Sequence, residues 1–304
     1  MTPLDQRRFL FVTGKGGVGK TTVSAALATA LAGRNKRVLI ALSGAHERLS
    51  ALFGVAPIGS TIVEVAPRVS AVHISAEPAL REYGAMILRS QTVFDAVFGN
   101  KYVKSFFRGV PGLYDWAVLG KAWYHAVEKL PDGSPRFDVV LFDAPATGHG
   151  LDMLRVPKVI VDIVPPGILR RDAERAWSMF KDPARSGVVV VTLPEDMPVN
   201  ETFELVEALR GELDLPLALL VVNAVWPELF SPDERHALLM DRDLRRDVAG
   251  DEALAAGVRR AIRERVQAES LARLASIDAP KLRLPMVWGD ASSPEALAEL
   301  AAKF

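Results

Sequence analysis

Several short runs in this sequence are apolar at nearly every position, and helix-length segments separate them. Residues 188–191 and 219–222 are the clearest examples. A strand that is apolar on both faces is typical of a parallel sheet that helices cover on both sides. The predicted strands are residues 9–13, 37–42, 69–74, 138–142, 187–192, 217–222 and 282–287. With predicted helices at 20–32 and 198–211, the alternation indicates an α/β fold with a doubly wound, mostly parallel sheet.

Two stretches interrupt the alternation of strands and helices. Residues 78–130 contain no good strand, and their pattern is helical with many large apolar side chains. Residues 232–275 carry many arginines balanced by acidic residues, which favours a solvent-facing pair of helices. Because no repeat or low-complexity linker appears, the sequence predicts one domain over residues 1–304. The helical insertion lies at about 78–130 and the charged helical segment at about 232–275.

The segment FLFVTGKGGVGKTT, residues 9–22, joins the first predicted strand to the first predicted helix. Glycines allow a tight turn in which successive backbone N–H groups point inward and hold phosphate oxygens. The positive end of the following helix adds to this attraction. The lysine at the helix start is suited to the outer phosphates, and the next hydroxyl to Mg²⁺. The predicted nucleotide-binding residues are Gly14, Gly16, Gly17, Val18, Gly19, Lys20, Thr21 and Thr22.

Lys15 follows the first glycine of this loop, where an ordinary phosphate loop requires no lysine. Because the loop curves away from Lys15, its ammonium does not easily reach a γ-phosphate bound by its own chain. It could reach a phosphate held by a second subunit docked face to face, as an arginine finger does in trans. The other interpretation is an ordinary surface lysine. We expect Lys15 to act in catalysis together with Lys20, within a nucleotide-dependent dimer.

Charge and cysteine content exclude several classes of protein. Lys plus Arg and Asp plus Glu both total 37, so no overall field attracts the chain to nucleic acid. The chain has no cysteine, which excludes disulfides, iron–sulfur clusters and zinc sites built on cysteine. The first residues lack the apolar core of a signal peptide, and no apolar run approaches the ~18 residues of a spanning helix. These features predict a cytoplasmic protein.

With GKGGVGKTT in view, the chain resembles the deviant Walker A ATPases, which include ParA, MinD, the nitrogenase iron protein and ArsA with its tail-anchored-protein targeting relatives. Residues 141–149, LFDAPATGH, are similar to the second switch of the ArsA branch, and Ala45-His46 occupy the place of its first switch. Asn223, at the end of a late strand, lies where that branch has its adenine-contacting asparagine. The resemblance implies a P-loop NTPase fold, ATP and Mg²⁺ as ligands, and ATP hydrolysis in a dimer.

Four of these positions can also be interpreted from their own chemistry. Asp143 ends an apolar strand beside the phosphate loop, where a carboxylate can hold Mg²⁺ through a water, with Thr21 as the second metal-binding residue. Asn223 presents a donor and an acceptor to an adenine edge, or else makes a turn. His46 and His149 either contact a switch segment or only pack.

Ser43 departs from the family pattern. In the related ATPases an aspartate two residues before Ala-His positions the attacking water, whereas this chain has Ser43 there. A hydroxyl cannot orient and deprotonate water as a carboxylate does. We therefore expect ATP binding with slow hydrolysis, unless a sister subunit supplies a complete first switch to a mixed dimer.

The partners remain open at the level of sequence. The leading hypothesis is an ATP-driven switch that forms a homodimer or a heterodimer. One alternative is a weakly active partner subunit of a heterodimer that handles a hydrophobic membrane-protein client, with residues 78–130 as the client surface or as plain core. Another is a positioning ATPase like ParA or MinD, which the neutral net charge and a C-terminal segment with a single Lys and two Glu disfavour.

Overall fold

A single sheet of eight strands organises the protein. The computed structural model describes residues 2–43, 48–88, 112–145, 147–240 and 249–304. The strands are β1 Phe9–Thr13, β2 Val38–Leu42, β3 Val63–Ala66, β4 Val69–His73, β5 Val139–Asp143, β6 Ser186–Thr192, β7 Leu217–Val225 and β8 Lys281–Pro285. Their spatial order is β3-β4-β2-β5-β1-β6-β7-β8. Every neighbouring pair is parallel except β3 with β4. The predicted α/β class and mostly parallel sheet are confirmed.

The antiparallel edge strand β3 has no counterpart among the predicted strands. Its four residues, Val63–Ala66, include a glutamate, and two of the four are exposed. A short edge strand with one solvent-facing side lacks the continuous apolar run that identifies a central strand. This is the physical reason that the sequence pattern did not reveal it.

Helices cover both faces of the sheet. They are α1 Lys20–Gly33, α2 Leu49–Phe53, α3 Ala76–Leu88, α4 Leu113–Val127, α5 Thr147–Ile163, α6 Ile168–Lys181, α7 Asp196–Glu207, α8 Pro232–Met240, α9 Ala249–Ala275 and α10 Pro294–Ala301. The helix predicted at 198–211 begins two residues earlier and continues into a π-helical turn, Ala208–Glu212. Within residues 78–130, residues 89–111 lie outside the described chain.

The apolar residues of the strands divide between two cores. Along β1, Leu10 and Val12 pack with the buried residues of α1, α2 and α10 on one face. Phe9 and Phe11 pack with those of α3 to α7 on the other face, where Phe9 lies 4.9 Å from the ring of Phe180. Because successive side chains of a strand point to opposite faces, continuous apolar sequence is what two covered faces require.

The central strand β1 determines where a functional site is found. It lies between β5 and β6, so the loop that follows Thr13 emerges among the carboxyl ends of three parallel strands. Ligands of open α/β sheets bind at this edge. In the described residues, we find no helix with the length and apolar composition needed to cross a membrane.

Candidate nucleotide-binding site

The loop between β1 and α1 has a shape that only glycine permits at two positions. Gly14 has φ +149°, and a Cβ built on it would lie 2.1 Å from the Val191 carbonyl oxygen. Gly19 has φ +90°, and its Cβ would lie 2.4 Å from Nδ2 of Asn223. A side chain at Gly14 would therefore force the loop away from β6, and one at Gly19 would displace the Asn223 amide and strain the backbone. The glycines hold the loop backbone against the sheet edge and leave Gly16 and Gly17 exposed.

The Lys20 side chain folds back into the loop that precedes it. Its Nζ donates hydrogen bonds of 3.0 Å to the carbonyl oxygens of Gly14 and Lys15. Burial lowers the pKa of Lys20, and the nearby Asp143 carboxylate acts in the opposite direction. An ammonium has three protons, and two of them are engaged by the loop. The arrangement thus fixes a cation at the centre of the loop, with a donor left for a phosphate oxygen.

Asp143 brings a carboxylate to the same place from β5. It pairs with Val12 in the sheet register and accepts hydrogen bonds from Thr21 Oγ1 at 2.7 Å and from Ser24 Oγ at 3.2 Å. Burial raises the pKa of Asp143, whereas the hydrogen bonds from Thr21 and Ser24 and the charge of Lys20 act to lower it. Hydroxyl and carboxylate oxygens are the ligands that Mg²⁺ prefers, so the Thr21–Asp143 pair is chemically fit to hold it.

Ser43 lies directly beyond β2, next to the end of β5. Its Oγ donates a hydrogen bond of 3.0 Å to the Asp143 carbonyl oxygen. The hydroxyl proton is thereby used to join the ends of two strands. Of the predicted site residues, Ser43 and Asp143 are therefore neighbours in space although 100 residues separate them in sequence.

Lys15 points to a different partner from Lys20. Its Nζ forms an ion pair of 2.7 Å with Oε1 of Glu201, which lies on α7. Both side chains are partly accessible, at 26% for Lys15 and 31% for Glu201. The ammonium of Lys15 therefore contacts a carboxylate of its own chain.

A cavity of about 560 Å³ opens beside the loop. Gly17, Gly19 and Thr22 line it on the loop side, and Asn223 and Trp226 on the side of β7. Asn223 Nδ2 donates a hydrogen bond of 2.9 Å to the Val18 carbonyl oxygen, and this contact ties the cavity wall to the loop. The volume is within the range of about 300–1,000 Å³ that is usual for small-molecule pockets. The cavity is large enough for a nucleoside joined to phosphates in the loop.

The wall of this cavity beyond Asn223 is held by α9. Gln267 Oε1 accepts a hydrogen bond of 2.9 Å from the Trp226 backbone N–H, and Gln267 Nε2 donates one of 2.9 Å to the Trp226 carbonyl oxygen. The guanidinium carbon of Arg263 lies 3.9 Å from the centroid of the Trp226 ring. These contacts fix the chain direction after β7, so a segment remote in sequence shapes the pocket.

Three contributors to the site were absent from the sequence-based prediction. Ser24 follows Thr21 by three residues, so helical spacing from the predicted metal-binding threonine could have indicated it. Glu201 and Gln267 had no such signal, because nothing local relates α7 or α9 to the phosphate loop. Conversely, Ala45 and His46 of the predicted first switch, and the side chains of Thr147 and His149 of the predicted second switch, lie outside the described residues.

The described ranges contain no group of three or more His, Cys, Asp or Glu side chains that could hold a metal ion. A magnesium site beside a phosphate loop does not need such a group, because phosphate and water oxygens complete the coordination. The Thr21–Asp143 pair is thus the arrangement to consider for a metal in this part of the molecule.

Comparison with known proteins agrees with this geometry. The profile of the Anion-transporting ATPase family, ArsA_ATPase, matches residues 7–165, which is more than half of the chain. The chain is 29% identical to ATPase BagA of Mycobacterium tuberculosis over 300 residues, covering 92% of this chain and 87% of that protein.

Two further relatives extend the comparison. The Arsenical pump-driving ATPase of Acidiphilium multivorum is 31% identical over 238 residues, which cover 72% of this chain and 40% of that protein. The ATPase ASNA1 homolog of Entamoeba dispar is 25% identical over 264 residues, covering 72% of this chain and 77% of that protein. All three of these relatives are named as ATPases. The chain belongs to the ArsA-type Anion-transporting ATPase family, and it is an ATPase that binds and hydrolyses ATP.

Proposed function

We propose that this ATPase works as a dimeric switch, in which bound ATP joins two subunits and hydrolysis releases them. The observation that carries the proposal is the presence of two lysines with separate surroundings in one loop. Lys20 is engaged by carbonyl oxygens of its own loop, whereas Lys15 is partly exposed and reaches outward to α7. A nucleotide in the loop needs only the first lysine, so the second is available to the nucleotide of a partner subunit.

We assign the nucleotide-binding roles from the position of each residue in the loop and the cavity. We assign the triphosphate to the backbone of Gly14, Gly16, Gly17, Val18 and Gly19 and to the residues that begin α1, which are Lys20, Thr21 and Thr22. Asn223 is assigned to the base, because it lines the cavity beside the loop. Thr21 and Asp143 would hold Mg²⁺, which supplies positive charge to the phosphate oxygens. The chain's own part is to place the phosphates and to hold the Lys20 ammonium at the centre of the loop through the carbonyl oxygens of Gly14 and Lys15.

Sedimentation velocity at several protein concentrations tests the dimer. With Mg-ATP the wild-type chain is expected to sediment as a dimer, and with ADP as a monomer. Lys15→Ala is expected to keep ATP binding and to lose the dimer, because the charge in trans is removed while the phosphate loop is intact. A Lys15→Ala protein that dimerises as tightly as wild type would contradict the proposed role of Lys15.

We further propose that hydrolysis by the isolated chain is slow because of Ser43. The Ser43 hydroxyl donates to the Asp143 carbonyl oxygen, so its proton is not directed at a water, and a hydroxyl is too weak a base in any case. Ser43→Asp is expected to accelerate single-turnover hydrolysis by about 10-fold or more, since a positioned general base contributes about 10²–10⁴-fold. Ser43→Ala, the matched control, is expected to leave the rate close to wild type. A fast wild-type rate that Ser43→Asp does not increase would refute this explanation.

The same observation favours a second candidate function, that of a weakly active subunit in a heterodimer with a sister ATPase. Such a subunit would bind ATP and place Lys15 at the nucleotide of its partner, and the partner would supply the first switch with its aspartate. A membrane-protein client is part of this candidate. A cavity of about 610 Å³ between α3, α4 and α6 supports it, since Tyr83, Trp116 and Trp123 line it together with five charged residues. Copurification of a sister ATPase with this chain in the presence of ATP would distinguish the heterodimer from the homodimer.

A further inference from the structure

Glu201 is the contact that determines where the Lys15 ammonium lies. It is on the second turn of α7, and its Oε1 is 2.7 Å from Lys15 Nζ. The backbone of Lys15 is fixed separately, because its carbonyl oxygen accepts a hydrogen bond of 3.0 Å from Lys20. The backbone and the ammonium of Lys15 therefore have separate contacts, and Glu201 is the contact of the ammonium.

The ion pair is of a kind that a phosphate can replace. Lys15 and Glu201 are partly accessible, at 26% and 31%, and an ion pair that water reaches is weak and screened by salt. A bound triphosphate carries more negative charge than one carboxylate, and its surroundings in a closed dimer are less exposed to water. An ammonium that contacts Glu201 in one subunit would gain by moving to a phosphate of the other subunit.

We propose that Glu201 is a positioning residue, which holds the Lys15 ammonium in the separate subunit and releases it when that subunit meets an ATP-bound partner. This inference rests on the proposed action of Lys15 in trans. Because the pair must separate before Lys15 reaches the partner's nucleotide, its strength is subtracted from the affinity of the dimer. Glu201 thus sets the protein and salt concentrations at which dimerisation begins, without contacting the nucleotide of its own chain.

The test is Glu201→Gln, which keeps the size of the side chain and removes its charge. In Mg-ATP and low salt, the dimer dissociation constant from sedimentation velocity is expected to fall about 2- to 30-fold, because two such ion pairs separate in every dimer and each contributes roughly 1.4- to 5-fold. The affinity of the monomer for ATP is expected to stay unchanged. The difference from wild type is expected to shrink as salt is raised, which loss of a merely structural contact would not produce. Glu204→Gln, exposed on the same helix, is the matched control.

The outcomes separate this inference from the proposed function. An unchanged or weakened dimer in Glu201→Gln overturns the retaining role of Glu201. If Lys15→Ala dimerises as wild type does, the trans role itself is overturned. If Lys15→Ala loses the dimer and Glu201→Gln has no effect, only the inference about Glu201 fails. The double variant Lys15→Ala, Glu201→Gln is expected to match Lys15→Ala alone.

Discussion

At the residue scale, the side chains that surround Asp143 determine how the site is charged. Thr21 and Ser24 donate to its two oxygens, Lys20 lies nearby, and the residue as a whole is only 7% exposed. Burial disfavours the ionised carboxylate and raises its pKa, although each neighbour favours it. A metal ion binds the ionised carboxylate, which burial makes unfavourable in the protein without metal. The ionised Asp143 therefore lowers the stability of the folded protein.

Asp143→Asn is expected to raise the thermal stability of the protein and to abolish its activity. A carboxyl whose pKa is raised by folding contributes stability that is present below the unfolded value of about 3.9 and lost as pH rises through the folded value. The wild-type protein without nucleotide is therefore expected to lose melting temperature as pH rises through that range, and Asp143→Asn to lose less. At neutral pH the variant is expected to have the higher melting temperature and no Mg²⁺-dependent hydrolysis. Thermal unfolding from pH 4 to 8, with the hydrolysis assay beside it, measures both.

A variant that melts well below wild type at neutral pH would contradict this account of Asp143. Thr192→Val is the control, because it removes a buried hydroxyl near the same sheet edge and leaves the Asp143 carboxylate in place.

At the same scale, the strand, loop and helix around the predicted phosphate loop could be found from the sequence because one short segment contains all of their determinants. The glycines, Lys20 and Thr21 follow one another between β1 and α1, and the strand and helix themselves have clear patterns. Lys15 was singled out by its position, but its contact with Glu201 was not. A contact between side chains on separate elements depends on how those elements pack, which no local pattern records.

At the scale of elements, α9 is the part of the molecule that shapes the base side of the cavity. Gln267 satisfies both backbone groups of Trp226, and Glu264 accepts hydrogen bonds of 2.8 Å from Leu229 N–H and 3.4 Å from Phe230 N–H. Both side chains are buried. The charged segment predicted as a solvent-facing pair of helices thus also has an inner face, which bonds the loop after β7. Gln267 and Trp226 are 41 residues apart, so their pairing had no signal in the sequence.

Gln267→Leu is expected to release the Trp226 backbone, which forms part of the cavity wall. The Trp226 N–H and carbonyl, which are partly buried, lose their partners, at a cost of up to roughly 1–3 kcal/mol for each group left unsatisfied. The free energy of unfolding in urea is expected to fall by about 2 kcal/mol or more, and ATP binding to weaken because the cavity wall moves. Calorimetric titration with ATP measures the second effect.

Arg265→Leu is the matched control on α9, because Arg265 is exposed and its ion pair, with Glu269 at 3.9 Å, lies on the same helix. If Gln267→Leu and Arg265→Leu behave alike in both measurements, the proposed control of the cavity by α9 is wrong.

At the scale of the whole molecule, the sequence was informative about the centre of the sheet and less so about its edge. The strands between β4 and β7 are buried on both faces, and this requires the continuous apolar runs that identified them. The edge strand β3 faces water on one side and has no such run. The same logic places the site: β1 is central, so its loop meets the ends of β5 and β6 where Asp143 and Val191 complete it.

Mixing two inactive variants tests the central claim most directly, namely that Lys15 serves the nucleotide of the partner subunit. The Lys15→Ala variant binds ATP but has no Lys15 for the nucleotide of its partner. The Lys20→Ala variant keeps Lys15 but binds no nucleotide. In a mixed dimer, the one intact site combines the loop of the first with Lys15 of the second. We predict that the mixture hydrolyses ATP in single turnover at a rate about 100-fold above either variant alone, the scale of one lost transition-state donor. A mixture no faster than the sum of its two components would contradict the account.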